Sequence, residues 1–319
     1  MEKINCNFCS SAENKIITTQ TDIIYKTTSK NFNVVECLNC GLNFVNPRPS
    51  EEEIGDYYKT DYQFHKSSSY FKVLLRKITK YIANSKLSIF ATYLPILNEK
   101  LKYYVQKEVK NPIKLKKNDF FLDIGAGSAN MSYFWDYEGS LNYYKSKTNN
   151  IFAVEPGDTS LKQLKENNIT SFKLIDDVPK NLSFDVIRMN WSLEHVHDPK
   201  KYFEFFKNNL QKNGKVLLCI PNYNGLLYQL DKSQVELPIH LYHFKKNDIQ
   251  NYCKSYGLKV LEFQTLSLAS MFYAVSKYNS KFKQFSNLSL LDLNNLQKLL
   301  NKFDDFELGS DMLFIIGKN

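Results

Sequence analysis

The stretch Phe120-Phe121-Leu122-Asp123-Ile124-Gly125-Ala126-Gly127-Ser128-Ala129 decides the fold. Its first five residues read as a short buried strand, and a glycine-rich turn follows directly. Glycines let the backbone take positive φ and approach a ligand closely. Working outward, short apolar runs recur at Ile151–Val154, Phe172–Ile175, Phe184–Met189 and Lys215–Ile220. Helical patterns lie between them, notably over Thr159–Asn167 and Pro199–Leu210. Strands alternating with helices predict an α/β fold, with a doubly wound, mostly parallel sheet covered by helices on both faces. The tail adds a strand at Leu258–Thr265, a helical insert near 266–303, and a last strand at Asp311–Ile316 expected to run antiparallel.

Upstream, four of the six cysteines form two pairs, Cys6-x2-Cys9 and Cys37-x2-Cys40. Each pair is a knuckle that places two thiolates on one tight turn. Two knuckles supply a tetrahedral sulfur set, which suits zinc. Four thiolates leave no open position, so a structural rather than a catalytic zinc is expected. The 27 residues between the pairs read as a β-hairpin, with strands at Lys15–Gln20 and Phe32–Glu36. Ser50 and Glu53 fit a capping box opening a helix that ends near Tyr57-Tyr58. Residues 69–109 have helical periodicity. The chain is thus expected to divide into a zinc-binding module (1–60), a helical connector or lid (61–117) and a sheet domain (118–319).

With 42 Lys+Arg against 33 Asp+Glu, the net charge of +9 invites a nucleic-acid reading. Only three of the basic residues are arginines, namely Arg48, Arg76 and Arg188. Arginine is the fork that reads phosphates and guanines bidentately, so a nucleic-acid partner is not expected. The N-terminus carries no apolar stretch of the signal-peptide kind, and no run reaches the ~20 apolar residues of a bilayer span. A reducing cytoplasm is the expected location. Cys219 and Cys253 read as ordinary core residues.

The glycine turn also carries a cofactor signal. Asp123 opens it, and Glu155 ends the next strand, where it can accept both hydroxyls of a ribose. A pyrophosphate is disfavoured so close to Asp123. S-adenosylmethionine carries an amine and a sulfonium but no phosphate, and tolerates carboxylates there. Where a dinucleotide pattern places its third glycine, this chain has Ala129 and Asn130.

Three segments together resemble class I S-adenosylmethionine-dependent methyltransferases, which have a Rossmann-like sheet. They are Phe120–Ala129, Ala153-Val154-Glu155-Pro156, and Asn190-Trp191-Ser192-Leu193-Glu194-His195-Val196-His197-Asp198-Pro199. The double knuckle, Cys40-Gly41-Leu42, Asn46-Pro47-Arg48-Pro49 and Pro238-Ile239-His240-Leu241-Tyr242-His243-Phe244 resemble a narrower group. That group is the zinc-containing methyltransferases of bacterial sugar, capsule and lipopolysaccharide synthesis. The resemblance implies that Asp123, Gly125 and Gly127 contact the methionine part of the donor and that Glu155 binds its ribose. Asp176 or Asp177 follows the third strand, where the family meets the adenine edge. Asn190 and Trp191 should lie near the donor.

Four of the five histidines form two clusters, His195/His197 and His240/His243, after the fourth and fifth strands. Ligands of doubly wound sheets bind beyond the carboxyl ends of the strands, so both clusters are expected to face the acceptor. An alcohol is a poor nucleophile until a base engages it. His240 is the expected base, with Glu194, His195 and His243 as alternatives or orienting groups. Tyr58, on the N-terminal module, is a further acceptor-side candidate.

The Glu194-His195 pair also resembles the metal-holding pair of quinone-pathway O-methyltransferases. Those carry another glutamate three residues earlier, where this chain has Trp191, so metal-dependent catalysis is not expected. Two departures stand out. Residues 138–148 read as an insertion. The chain also ends before the further α/β domain of the sugar C-methyltransferases, which favours O- or N-methylation. The expected activity is O-methylation of a sugar, as a nucleotide sugar or a glycan precursor. Methylation of RNA or of another small molecule is an alternative, and a non-catalytic zinc-containing binding protein is a third.

Overall fold

The structure, a computed structural model, describes residues 1–58, 70–91, 93–107, 109–129, 139–230 and 236–319. Asn130, one of the two residues at the third-glycine position of a dinucleotide pattern, lies outside the described residues, as do 131–138. The chain opens with strands β1 (Asn14–Gln20), β2 (Phe32–Cys37) and β3 (Asn43–Val45). β1 and β2 form the expected antiparallel hairpin, with Asn14 opposite Cys37 and Gln20 opposite Phe32. At Ser50 the capping box is half made. The Glu53 carboxylate accepts the Ser50 N–H at 3.0 Å, but it opens a single 3-10 turn, Ile54–Tyr57, rather than an α-helix. Tyr58 returns to extended backbone and ends it.

Helices α1 (Tyr70–Asn84), α2 (Ser88–Ala91) and α3 (Pro95–Lys102) make up the connector. The α/β alternation then runs β4 (Phe120–Ile124), α4 (Leu141–Tyr144), β5 (Asn150–Val154), α5 (Asp158–Glu166), β6 (Thr170–Phe172), β7 (Phe184–Asn190), α6 (Pro199–Asn209) and β8 (Leu210–Pro221). It closes with α7 (Leu226–Leu230), β9 (Tyr242–His243), α8 (Lys246–Ser255), β10 (Leu258–Leu266), α9 (Ala269–Val275), α10 (Lys283–Ser286), α11 (Leu290–Asp304) and β11 (Asp311–Lys318). Two boundaries differ clearly from expectation. The first is the start of β8, at Leu210 rather than Lys215. The second is the end of β6. β6 stops at Phe172, because the Asp177 carboxylate accepts the Leu174 N–H at 2.9 Å and folds Ile175–Asp177 into a 3-10 turn. Short acidic side chains compete with the strand ladder in this way.

The main sheet has seven strands in the order β10-β11-β8-β7-β4-β5-β6. β8, β7, β4, β5 and β6 are parallel, and β11 runs antiparallel to both its neighbours. Successive side chains of a strand point to opposite faces, so β4 feeds two cores. Leu122 and Ile124 pack with Ile187, Phe203, Phe206 and Tyr252 on one face. Phe121 packs with Tyr144, Ala153, Leu164 and Leu217 on the other. Residues 141–144, within the expected insertion, form α4, which covers that second face.

Two long-range associations position the rest. β9 joins the N-terminal hairpin, so the second sheet runs β1-β2-β3-β9, with Asn43 opposite His243. Val35, Cys37 and Phe44 of the N-terminal strands also belong to the first sheet core. The N-terminal strands are therefore packed into the main fold over the loops that follow β7 and β8. The connector and the late insert, far apart in sequence, build a third core from Ala83, Leu101, Phe272, Leu290, Leu293 and Leu300. Within the apolar stretch 266–275, Ala269–Val275 form α9, which is buried in this core. Among the described residues no helix is long and apolar enough to cross a membrane.

Candidate active site

The glycine turn after β4 forms because two residues take left-handed backbone, Gly125 at φ +71° and Gly127 at φ +57°. A side chain at Gly125 has no room, since a Cβ there would sit 1.9 Å from Ser192 Oγ. The Gly125 and Ala126 N–H groups both bond the Val154 carbonyl, at 2.9 and 3.2 Å. This ties the turn to the end of β5, where Glu155 is 4% exposed. The Glu155 carboxylate accepts the Gly127 N–H at 2.7 Å and the Gly157 N–H at 2.9 Å. A carboxylate accepts about four hydrogen bonds, so these two are compatible with a ribose at the same group. At the end of β7, the Asn190 side-chain oxygen is buried with no partner among the described residues. Carboxylate and amide oxygens at this turn suit hydroxyls and an ammonium group, which fits S-adenosylmethionine.

Asp123 is placed differently from a free methionine contact. It forms a bidentate ion pair with Arg188 of β7, Nε to Oδ1 at 2.7 Å and Nη2 to Oδ2 at 2.6 Å. Both side chains are 4% exposed. Arg188 also donates to the Gly139 carbonyl and lies against the rings of Phe121 and Tyr144. Removing one partner of such a pair strands a buried charge, at a cost of about 3–5 kcal/mol. Trp191 takes positive φ, +45°, and its indole N–H donates to Asp311 at 2.9 Å. Burial raises the Asp311 carboxyl to about 6. Asp176 and Asp177 are exposed, Asp176 paired with Lys201 and Asp177 closing its own turn.

Beyond the ends of β7 and β8, side chains from three loops meet. The Leu241 N–H bonds the Glu194 carbonyl at 2.7 Å and joins two of these loops. His195 and His240 stack edge to face, with ring centroids 4.6 Å apart. Burial pushes both imidazoles down to about 3, so both are neutral at physiological pH. Glu194 is 1% exposed, neither carboxylate oxygen has a partner among the described residues, and burial raises its carboxyl far above the usual range. From the N-terminal side, the Tyr58 hydroxyl comes to 3.1 Å from His195 Nδ1. Burial first, then the carboxylates of Glu194, Glu236 and Glu155, holds Tyr58 protonated. Glu155, at the end of β5, and Glu194, after β7, are therefore both within electrostatic reach of one hydroxyl.

The expected histidine clusters are only half assembled. His195 and His240 meet, but His197 turns away and its Nε2 lies 3.0 Å from the Pro49 carbonyl. The N-terminal Pro-Arg-Pro segment takes it, so His197 does not join His195 and His240. His243 is buried on β9 beside Tyr223 and Asn43, adjoining the cluster rather than within it.

The family profile described as "Methyltransferase domain" matches residues 97–263, just over half of the chain. The chain belongs to this methyltransferase domain family. No curated protein matches the sequence. Among solved structures, it is similar to an S-adenosylmethionine-dependent methyltransferase of Clostridium acetobutylicum, with 14% identity and a TM-score of 0.41 over 79% of this chain and 100% of that one. It is similar to the cyclopropane synthase MmaA2 of Mycobacterium tuberculosis, with 13% identity and a TM-score of 0.42 over 79% and 99%. A third is the putative methyltransferase in complex with the Trm112 activator of Haloferax volcanii, at 12% identity and a TM-score of 0.43 over 75% and 96%.

In this methyltransferase the four N-terminal cysteines converge. Cys6 and Cys40 sulfurs are 3.4 Å apart, Cys9 and Cys37 sulfurs 3.5 Å, and all four lie within 4.8 Å of one another. Four sulfurs about 2.3 Å from one tetrahedral zinc would be roughly 3.8 Å apart, so the set fits that ion. Gly41, at φ +79°, makes the turn of the second knuckle. Several residues of the methyltransferase were not singled out from sequence. Glu236 lies four residues before His240 in a turn closed by the His240 N–H on the Glu236 carbonyl at 2.8 Å, with its Oε2 3.5 Å from His240 Nε2 and bonded by the Tyr25 hydroxyl at 2.9 Å. The i, i+4 spacing of Glu236 and His240 was the only sequence signal for it. Arg48 explains its proline-rich motif by bonding Glu2, the His197 carbonyl and the Tyr242 hydroxyl.

Proposed function

We propose that this methyltransferase O-methylates a sugar hydroxyl, presented as a nucleotide sugar or a surface-glycan precursor in the cytoplasm. The observation that carries the reading is the meeting of Glu194, His195, His240 and Tyr58 at the loop whose Ser192 lies against Gly125 of the glycine turn. S-adenosylmethionine supplies a methyl group already activated by its sulfonium. The chain must then hold the acceptor in line and take its proton. Neutral imidazoles keep a lone pair for that task, and His240 is the first candidate, with His195, His243 and Glu194 supporting it. On the donor side, Gly125 and Gly127 meet the methionine part and Glu155 the ribose. Asp123 serves by neutralising Arg188 and fixing the end of β4. Asn190 and Trp191 border the methionine part, and Asp176 or Asp177 the adenine edge.

In the same reading, residues 1–60 are a structural zinc module that roofs the acceptor side, followed by the connector (61–117) and the donor-binding domain (118–319). The sugar class rests on the motifs shared with sugar and capsule methyltransferases. A screen of nucleotide sugars with methyl-labelled S-adenosylmethionine tests it. Label is expected in a sugar ether. Label entering RNA or protein, with no sugar labelled, would overturn the sugar reading.

A further inference from the structure

The sequence argued against a catalytic metal because Trp191 replaces the glutamate of a known metal pattern. The structure supplies a third donor from another loop. One ligand atom each from Glu194, His195 and His240 falls within 4.8 Å of the others. Glu194 Oε1 is 4.0 Å from His195 Nε2, inside the roughly 4.2 Å that two donors on one zinc-like ion can span. We propose that Glu194, His195 and His240 bind a first-row divalent transition ion, separate from the cysteine-bound one.

The surroundings of the two rings are an independent observation. Metal-binding histidines donate their other ring N–H to a carbonyl or a carboxylate, which fixes the tautomer and aims the free nitrogen. His195 Nδ1 lies 3.1 Å from the Ile239 carbonyl. The tautomer that satisfies this carbonyl carries its proton on Nδ1, with the Tyr58 hydroxyl oxygen as a second acceptor, and leaves the Nε2 lone pair toward Glu194. His240 Nε2 lies 3.5 Å from the Glu236 carboxylate, close enough for that group to orient the ring. The third donor, Glu194, has two buried oxygens without a partner among the described residues. A buried carboxylate is costly unless it is paired or coordinates a metal. Two imidazoles and one carboxylate leave positions open, as catalytic metal sites do. An acceptor hydroxyl that enters one of them becomes more acidic. This inference rests on the reading of the cluster as the acceptor site, and it makes His240 act through the ion rather than as a free base.

The test needs no acceptor. The purified full chain, with its cysteine site loaded with zinc, is titrated with Co2+ and followed by visible absorption. One further equivalent is expected, with weak d–d bands and no thiolate charge-transfer band. Glu194→Gln, which keeps the side-chain shape, and His240→Ala should each weaken Co2+ binding at least tenfold. S-adenosylmethionine binding, measured in parallel, reports that each variant is folded. No further equivalent in a donor-binding wild type, or wild-type Co2+ affinity in Glu194→Gln, would overturn the metal site alone. Failure of the wild type to bind the donor would instead undo the functional reading beneath it.

Discussion

Cys37→Ser is expected to lose the bound zinc and to unfold the chain at least roughly 10 °C below the wild type. Isolated zinc fingers draw about 10–16 kcal/mol from their metal, and 1 kcal/mol shifts the midpoint of a 150–250-residue domain by about 2–4 °C. Here the cysteines are not a detachable appendage. Cys6 and Cys37 are 1% exposed and sit in the core that holds Leu122, Ile187 and Phe203 of the main domain. β9, which follows the loop that carries His240, completes the N-terminal sheet. Loss of zinc should therefore register as one transition for both parts. Scanning calorimetry with metal analysis checks it. EDTA should lower the wild-type midpoint and leave the variant unmoved. A zinc-free Cys37→Ser protein with the wild-type midpoint would show that the four sulfurs contribute nothing through a metal.

His240→Ala is expected to lower turnover about 10²–10⁴-fold, the usual contribution of a positioned acid–base group. Donor binding should be unchanged, because the glycine turn and Glu155 are held by the Val154 carbonyl and the Gly127 and Gly157 N–H groups rather than by His240. The ring stacks on His195 and is 6% exposed, so truncation also leaves a small hole. Single-turnover kinetics with the labelled acceptor, beside donor titration, separates the two effects. Turnover at the wild-type rate would move the essential group to His195 or His243. Loss of both donor binding and turnover would mean that His240 supports the fold rather than the reaction.

Local patterns in the sequence were enough to place the glycine turn, Glu155 and the cysteine set, because each is a short spacing whose geometry follows from the backbone. Most strands were readable for the same reason, although β6 stops three residues short of Ile175, β8 starts five residues before Lys215, and the short strands β3 and β9 carried no signal. The features that stayed hidden depend on partners far apart in the chain. Asp123 reads as a donor contact until Arg188, 65 residues later, appears opposite it across β4 and β7. His197 sits two residues from His195, yet the N-terminal Pro49 claims it. Glu236 and Tyr25 become neighbours across 211 residues. No periodicity announces such contacts, since they arise from the way β9 stitches the N-terminal hairpin over the sheet. The cluster of Glu194, His195 and His240 was foreseen as a set of candidates, but its shared geometry was not.

The central claim is that the turn after β4 and Glu155 bind S-adenosylmethionine. Calorimetric titration of the purified chain with S-adenosylmethionine and with S-adenosylhomocysteine tests it most directly. One molecule of either ligand per chain is predicted for the wild type. Glu155→Ala is predicted to weaken both roughly 100-fold, since hydrogen bonds to a charged group contribute about 1.5–3 kcal/mol each. A wild type that binds neither ligand, or a Glu155→Ala variant with unchanged affinity, would contradict the account.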